Sequence, residues 1–505
     1  MKSNNFDFKG LKKLGESIAF FRQQKGLTQV EFAKLLQTSQ SAIARIEKGD
    51  QNLTAETISK INRVLEKNVV KLANPMLNLK VEGGKKLNGS VTVRSSKNSS
   101  VCLLYASLLN RQKTNIKNIT VIEEVLRTID VLKSLGVDIN IKKQNAYISP
   151  LPIKNVKDIK IKANNLLLLI GVLSNFYGKF SIPVNFKATN FTGTLNSHLF
   201  SLEQLGFNFS IRQDRLMVDC TRKHGGEITM YESSDTATIN CIFASVGIKE
   251  GVKINLASSN YQVSDVLQFL KHLGARVKGV GTTTLSINGG SKLQRVIEFN
   301  PITDPSESMF YISCGILTNS SIIIRKAPIN YLKLELLKLK KMGFKYRILK
   351  RYKSNDKTRN YADIQTFESS LKALDEKMYA RPFPGLLIDN LPYFVVIATQ
   401  ATGRTIVNDF VMTERAPHFT ELNNLGADII LADNHRVFVQ GKTQLKSADL
   451  TCSLALHPGN MILVAMLGAK GVSTLKEAYT LNAWYEGLFD NLNKLGASVH
   501  VLYEL

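Results

Sequence analysis

The sequence predicts an all-α N-terminal domain followed by a larger α/β body of two lobes, each built from three repeated α/β units. Three observations carry this. At 505 residues the chain is longer than one hydrophobic core ordinarily organises. Its first 68 residues show helical periodicity and capping residues with no strand pattern. The remainder repeats one helix-to-strand signature six times.

Composition narrows the chemistry. Hydrophobic residues make up 44% and charged residues 21%, which excludes a disordered chain. Lys and Arg total 66 against 41 acids, a net of +25 that favours anionic partners. The longest apolar runs, Leu166–Leu173 and Met461–Leu467, fall far short of the roughly 20 residues a membrane span needs. The opening MKSNNFDFKG lacks the apolar core of a signal peptide, so a cytoplasmic protein without a membrane partner is expected. The five cysteines are far apart with no CxxC, which argues against a disulfide framework or cysteine-based zinc site. Seven histidines show no HExxH or paired spacing, and no metal or cofactor is expected.

The head reads as four short helices. Leu14, Ile18 and Phe21 share one face of the first, which Gly26 stops. Thr28 caps a second carrying Val30, Phe32, Ala33 and Leu36, and a break at Gln37–Thr38 follows. Ser39 caps a third with Ile43 and Ile46 inward, closed by Gly49; Thr54 caps a fourth with Ile58, Ile61 and Leu65. Two short helices about four residues apart, the second capped by Ser, have helix-turn-helix geometry. Gln40, Ser41, Ala42 and Arg45 are expected to point outward, as short polar or basic side chains suited to base edges and phosphates. A helical bundle used for protein contact is the competing reading.

In the body, the strings LKSLGVDI, LEQLGFNF, LKHLGARV, LKKMGFKY, LNNLGADI and LNKLGASV share one pattern. Their glycines, Gly136, Gly206, Gly274, Gly343, Gly426 and Gly496, are spaced by 70, 68, 69, 83 and 70 residues. Each is read as ending an amphipathic helix at a position needing positive φ, after which a strand begins. The long interval holds KYRILKRYKSNDKTR (Lys345–Arg359), seven of whose fifteen residues are basic. It reads as an inserted surface loop; a solvated basic hairpin is favoured there over a nucleic-acid patch.

Two resemblances add to these readings. GLTQVEFAKLLQTSQSAIARIEKG is similar to the Cro/repressor-type helix-turn-helix family over its whole length. That implies double-stranded DNA as a partner, with Gln29 and Ser39 on the backbone and Gln40, Ser41 and Arg45 facing the groove, normally as a homodimer. LKVEGGKKLNGSVTVRSSKNSSVCLLYASLL, SHLFSLEQLG and MTERAPHFTELNNLGAD resemble the enolpyruvyl transferase family, in particular its branch acting on UDP-N-acetylglucosamine in peptidoglycan synthesis. The implied fold is a two-lobed inside-out α/β barrel with its site in the cleft. The head would occupy 1–68 (motif 28–47), a linker 69–76 and the body 77–505. Lobe one would run about 97–298, and lobe two would combine 77–96 with 299–505.

The family resemblance also assigns residues. Lys97, Asp304 and Arg415 correspond to catalytic positions, and Asn98, Lys162, Asn196, His198, Ser234, Asp389 and His457 to substrate-binding ones. The residues themselves are consistent with part of this. Lys97-Asn98 at a helix start makes a place for phosphate or carboxylate, although a capped surface helix is the plainer reading. Asp304 could relay a proton from a sugar hydroxyl, or simply form an Asx turn before Pro305. Arg415 offers a planar fork for a carboxylate or phosphate.

Departures from the family pattern bear on activity. The family's mobile loop carries a cysteine or aspartate, whereas Ile182–Phe200 contains no Cys and no acid. A loop arginine corresponds to Gly193, another arginine to His457 and a third to Lys162. The uridine-binding Asp and Lys correspond to Asn196 and Glu232. Three functions stay open on the sequence: a ligand-sensing regulator linked to cell-wall precursors, an active enolpyruvyl transferase, and a structural domain. The ligand would be a nucleotide sugar or a phosphoenolpyruvate-like anion.

Overall fold

The structure is a computed structural model. It describes most of residues 15–65, then 76–504 apart from 150–152, 154–164, 185–190, 291–292, 413, 453–457 and 483–484. Thr54 and Ile58, with Leu14, lie outside the described residues.

In the head, Thr28 caps the helix Gln29–Leu35 through a reciprocal capping box with Glu31. Gln37 takes a left-handed conformation (φ 56°) at the break, and Ser39 caps Gln40–Lys48, which ends at left-handed Gly49. Ile18, Phe32, Ile43, Ile46, Ile61 and Leu65 form one small core. Arg22 is buried with them and grips Glu47 through two nitrogens, at 2.6 and 3.0 Å.

All six repeat glycines have positive φ, from 81° to 105°, so each helix turns into its strand as the pattern requires. The strands that follow are Asp138–Lys142, Asn208–Arg212, Arg276–Lys278, Tyr346–Lys353, Asp428–Asp433 and Ser498–Glu504. The fifth motif ends a 3₁₀ helix, Ala416–Leu425, instead of an α-helix. Each of these strands lies in a different one of six sheets among the described residues.

Two cores result. One gathers residues between Val101 and Phe299, the other Leu77–Val93 together with Met309–Val499. Helices such as Lys97–Ser107, Pro305–Leu317 and Leu391–Ala398 are buried almost all round, and open sheets cover them. No closed barrel forms among the described residues.

The chain crosses between the cores twice, side by side. Ser95 pairs with Thr303 in an antiparallel bridge, Ser96 N–H donates to Ile302 O, and Asp304 N–H donates to Arg94 O. Lys97 therefore enters one lobe where Asp304 enters the other.

The inserted stretch is a basic hairpin and not an irregular loop. It forms an edge strand, Tyr346–Lys353, a short turn and the return strand Asn360–Thr366. Tyr346 and Ile348 pack on the second core, and Arg359 is buried.

Candidate functional site

The helix Lys97–Ser107 begins at the crossover, and Ser96 caps it by accepting the Ser99 N–H. Lys97 Nζ lies 2.5 Å from Glu124 Oε2, and Asn165 Nδ2 donates to the other Glu124 oxygen at 2.6 Å. Asn98 Nδ2 donates to Tyr261 Oη at 3.2 Å, and Ser96 Oγ approaches the same phenol at 3.3 Å. Tyr261 opens the helix Tyr261–Leu273. Burial, then the charges of Asp304 and Asp389, push its phenol well above the ordinary range. Asn98 thus contacts the buried Tyr261, and the charges of Asp304 and Asp389 reach it, while Lys97 is turned to Glu124.

Asp304 is buried and caps Pro305–Leu317, with Oδ1 accepting the N–H groups of Ser306 (2.8 Å) and Glu307 (3.3 Å). Oδ1 therefore forms an Asx turn, because Pro305 needs no hydrogen-bond acceptor and the next two amides do. Arg415 is 2% exposed. Its Nε donates to Asp409 at 2.5 Å and its Nη2 to Ile388 O at 3.0 Å, placing it beside Asp389. Across from these, Asp235 accepts hydrogen bonds from Ser258, Asn260 (2.8 Å) and Gln262 (2.9 Å). Burial raises its carboxyl, and the charge of Asp389 adds to the effect.

His198 is 1% exposed, with its ring between Thr236 Oγ1 (3.2 Å) and Asn240 Nδ2 (2.9 Å). Burial pushes its pKa down to about 3, so the imidazole is neutral. Ser234 caps Asp235–Val246 and is half-buried; Asn196 is exposed on Phe191–Glu203. Lys162 and His457 lie outside the described residues.

In the head, Gln40, Ser41 and Arg45 are exposed on one helix, whereas Ala42 is 8% exposed and belongs to the inner face. Gln29 donates to Glu47 at 2.8 Å, so its amide is tied to the head's own ion pair. The Ser39 hydroxyl accepts the Ala42 N–H and sits 2.9 Å from that of Ser41.

The partners Glu124, Asp235, Tyr261 and Asp409 escape sequence reasoning. The available signal was local: Asp235 and Tyr261 each begin a helix just after a capping residue, Ser234 and Asn260. A cavity of about 350 Å³ also opens beside the crossover, lined by Arg94, Ser95, Gln144, Lys326 and Glu486 among others. Lys97, Asn98 and Arg415 do not line it. Glu486 holds the lobes together there by accepting from Val121 N–H (3.0 Å) and Gln144 (2.8 Å).

Two lobes of buried helices under open sheets, joined by a double crossover with a lysine-asparagine helix start beside it, define an enolpyruvyl transferase fold; a helix-turn-helix head precedes it. The chain belongs to the EPSP synthase (3-phosphoshikimate 1-carboxyvinyltransferase) family, whose model matches residues 81–492, and the helix-turn-helix model matches 18–72. Among curated proteins it is 28% identical over 433 residues to a UDP-N-acetylglucosamine 1-carboxyvinyltransferase of Campylobacter jejuni, covering 85% of this chain and all of that one. A protein of the same name from Borreliella burgdorferi is 28% identical over 426 residues, covering 83% and 97%. Among solved structures, the enolpyruvyl transferase NikO from Streptomyces tendae shares the fold with a TM-score of 0.73 at 19% identity, covering 85% and 99%. An EPSP synthase from Acinetobacter baumannii does so at 0.67 and 18%, covering 84% and 100%.

Proposed function

We propose that this chain is a DNA-binding regulator whose transferase-like body senses a nucleotide sugar or a phosphoenolpyruvate-like anion of cell-wall precursor metabolism. One observation carries the reading: both cations assigned to grip phosphoenolpyruvate are held by carboxylates of their own lobe, Lys97 by Glu124 and Arg415 by Asp409. Each hydrogen bond to a charged group withheld from substrate costs about 1.5–3 kcal/mol of binding. The stretch Ile182–Phe200 also supplies no cysteine or carboxylate to protonate the substrate methylene, a loss worth about 10²–10⁴ in rate. Asp235 and Asp389 come from opposite lobes, so a sugar bridging them would favour one interlobe angle. The head, acting as a homodimer, would read that change out on DNA through Gln40, Ser41 and Arg45.

Active enolpyruvyl transfer is the second reading. It is favoured by the full-length match to UDP-N-acetylglucosamine 1-carboxyvinyltransferases and by the retained Lys97-Asn98 pair. Phosphate release from phosphoenolpyruvate plus UDP-N-acetylglucosamine separates the two. The regulator reading expects none above background, together with a UDP-N-acetylglucosamine-dependent change in affinity for a selected duplex. Turnover abolished by Lys97→Ala overturns it in favour of the enzyme. For the head, Arg45→Ala and Gln40→Ala are each expected to weaken selected DNA by about 1–3 kcal/mol. A selection that returns no enriched motif refutes the DNA-reading role.

A further inference from the structure

Residues 333–359 hold 11 Lys and Arg against two acids, a net of +9. More than a third of the chain's +25 therefore lies in 27 of its 505 residues. Structure puts this charge on one continuous piece of the second lobe, the helix Lys333–Lys341 followed directly by the edge strand Tyr346–Lys353 and its turn. On the strand and turn, Lys345, Arg347, Lys350, Arg351, Lys353 and Lys357 are all exposed. On the helix, Lys333, Lys340 and Lys341 are exposed as well. None of these nine makes an ion pair among the described residues. The two cations that do pair, Lys338 with Glu376 and Arg359 with Asp265, are the ones turned away from solvent.

We infer that this helix and edge strand form a nucleic-acid surface, which takes the phosphate backbone of duplex DNA. Guarding a sheet edge against strand addition needs only a charge or two, and nine uncompensated cations go beyond that. The surface is also rigid. Tyr352 donates to Asp363 at 3.0 Å and packs against Tyr361, and Arg359 nails the base of the hairpin to the other lobe. Cations held on an ordered strand lose less entropy on binding than cations on a floppy tail. The eight-residue strand spans about 26 Å, comparable to about eight phosphates of one DNA strand at 3.4 Å each. Leu337 and Leu349 are its only large exposed apolar side chains among the described residues, too few to anchor in lipid. The inference extends the DNA-binding reading of the head without resting on it, because phosphate contacts carry no sequence information.

The test is fluorescence anisotropy of the full-length protein with a 30-base-pair duplex of arbitrary sequence, titrated across sodium chloride concentrations. Replacing Arg347, Lys350, Arg351 and Lys353 together by Ala is expected to lower affinity at least tenfold at low salt. The slope of log affinity against log salt should become shallower by about 3–4, at ~0.9 per lost phosphate contact. Should that variant lose its far-UV circular dichroism melt, Lys333→Ala, Lys340→Ala and Lys341→Ala together are read the same way, with about 2–3 expected. An unchanged slope in a folded variant overturns the inference. So does a wild type that binds phosphatidylglycerol vesicles through these residues while its duplex affinity ignores them.

Discussion

Arg359 and Asp265 clamp the two lobes, and removing one partner should be far more damaging than removing both. Arg359 Nε donates to Asp265 Oδ1 at 2.7 Å, and the side chains are 6% and 2% exposed. The other Asp265 oxygen accepts the Ile302 N–H at 2.8 Å, at the crossover itself, and the guanidinium lies 4.6 Å from the Phe299 ring centroid. The partners differ in what burial does to them. For Arg359, burial is outweighed by the charges of Asp265, Tyr361 and Asp356, so its pKa rises; for Asp265, burial outweighs the pairing and its carboxyl also rises. A buried ion pair of this kind adds little net stability, and its importance lies in what breaking it costs. Arg359→Ala leaves a buried carboxylate without its counter-charge, a loss of about 3–5 kcal/mol. Pairing Arg359→Met with Asp265→Asn removes both charges, keeps an acceptor for the Ile302 N–H and should recover most of that. Hydrogen exchange at the amides of Tyr261–Leu273 is the assay, since 3–5 kcal/mol is about 10²–10⁴-fold in local opening. Tyr261 lies one turn before Asp265, so the single variant should also loosen the Asn98 and Ser96 contacts. Exchange accelerated less than tenfold in Arg359→Ala, or a coupling energy below about 0.5 kcal/mol in the cycle, would show that the pair does not clamp the lobes.

Two further predictions concern buried acids. Burial raises Glu307 from the ordinary 4.5 to about 8, against the pull of the Arg94 N–H and with help from the charge of Asp304. A raised carboxyl favours the folded state fully below pH 4.5, and that contribution is lost as pH rises to about 8. Glu307→Gln should therefore match wild type near pH 4.5 and be the more stable at pH 9, by a ceiling of about 5 kcal/mol at 1.36 kcal/mol per pH unit. Melting temperatures at both pH values check it, and an equal offset at the two contradicts it. In the head, Glu47→Ala leaves Arg22 and Gln29 without their acceptor and should cost about 3 kcal/mol. That is a large part of a small domain's stability, so DNA binding by the full chain should fall with loss of amide protection in Gln40–Lys48 alone.

Features made by neighbours in the chain are legible before folding. Thr28, Ser39, Ser96, Ser234 and Asp304 cap helices because their oxygens reach amides two or three residues ahead. The six glycines turn each repeat helix into a strand because positive φ is a one-residue property. Those signals sufficed to see the head, the repeat and the lysine-asparagine helix start. What each site residue is engaged with depends on long-range contacts. Lys97 meets an acid 27 residues away, Arg359 one 94 residues away, and Arg415 settles beside Ile388, 27 residues back in the chain. Folding also buries the His198 ring between Thr236 and Asn240, and it pairs the basic insertion into a hairpin with a buried arginine at its foot. The physical reason is the same throughout: capping and turn geometry act within one helical turn, whereas desolvation and charge pairing depend on groups that only folding brings together.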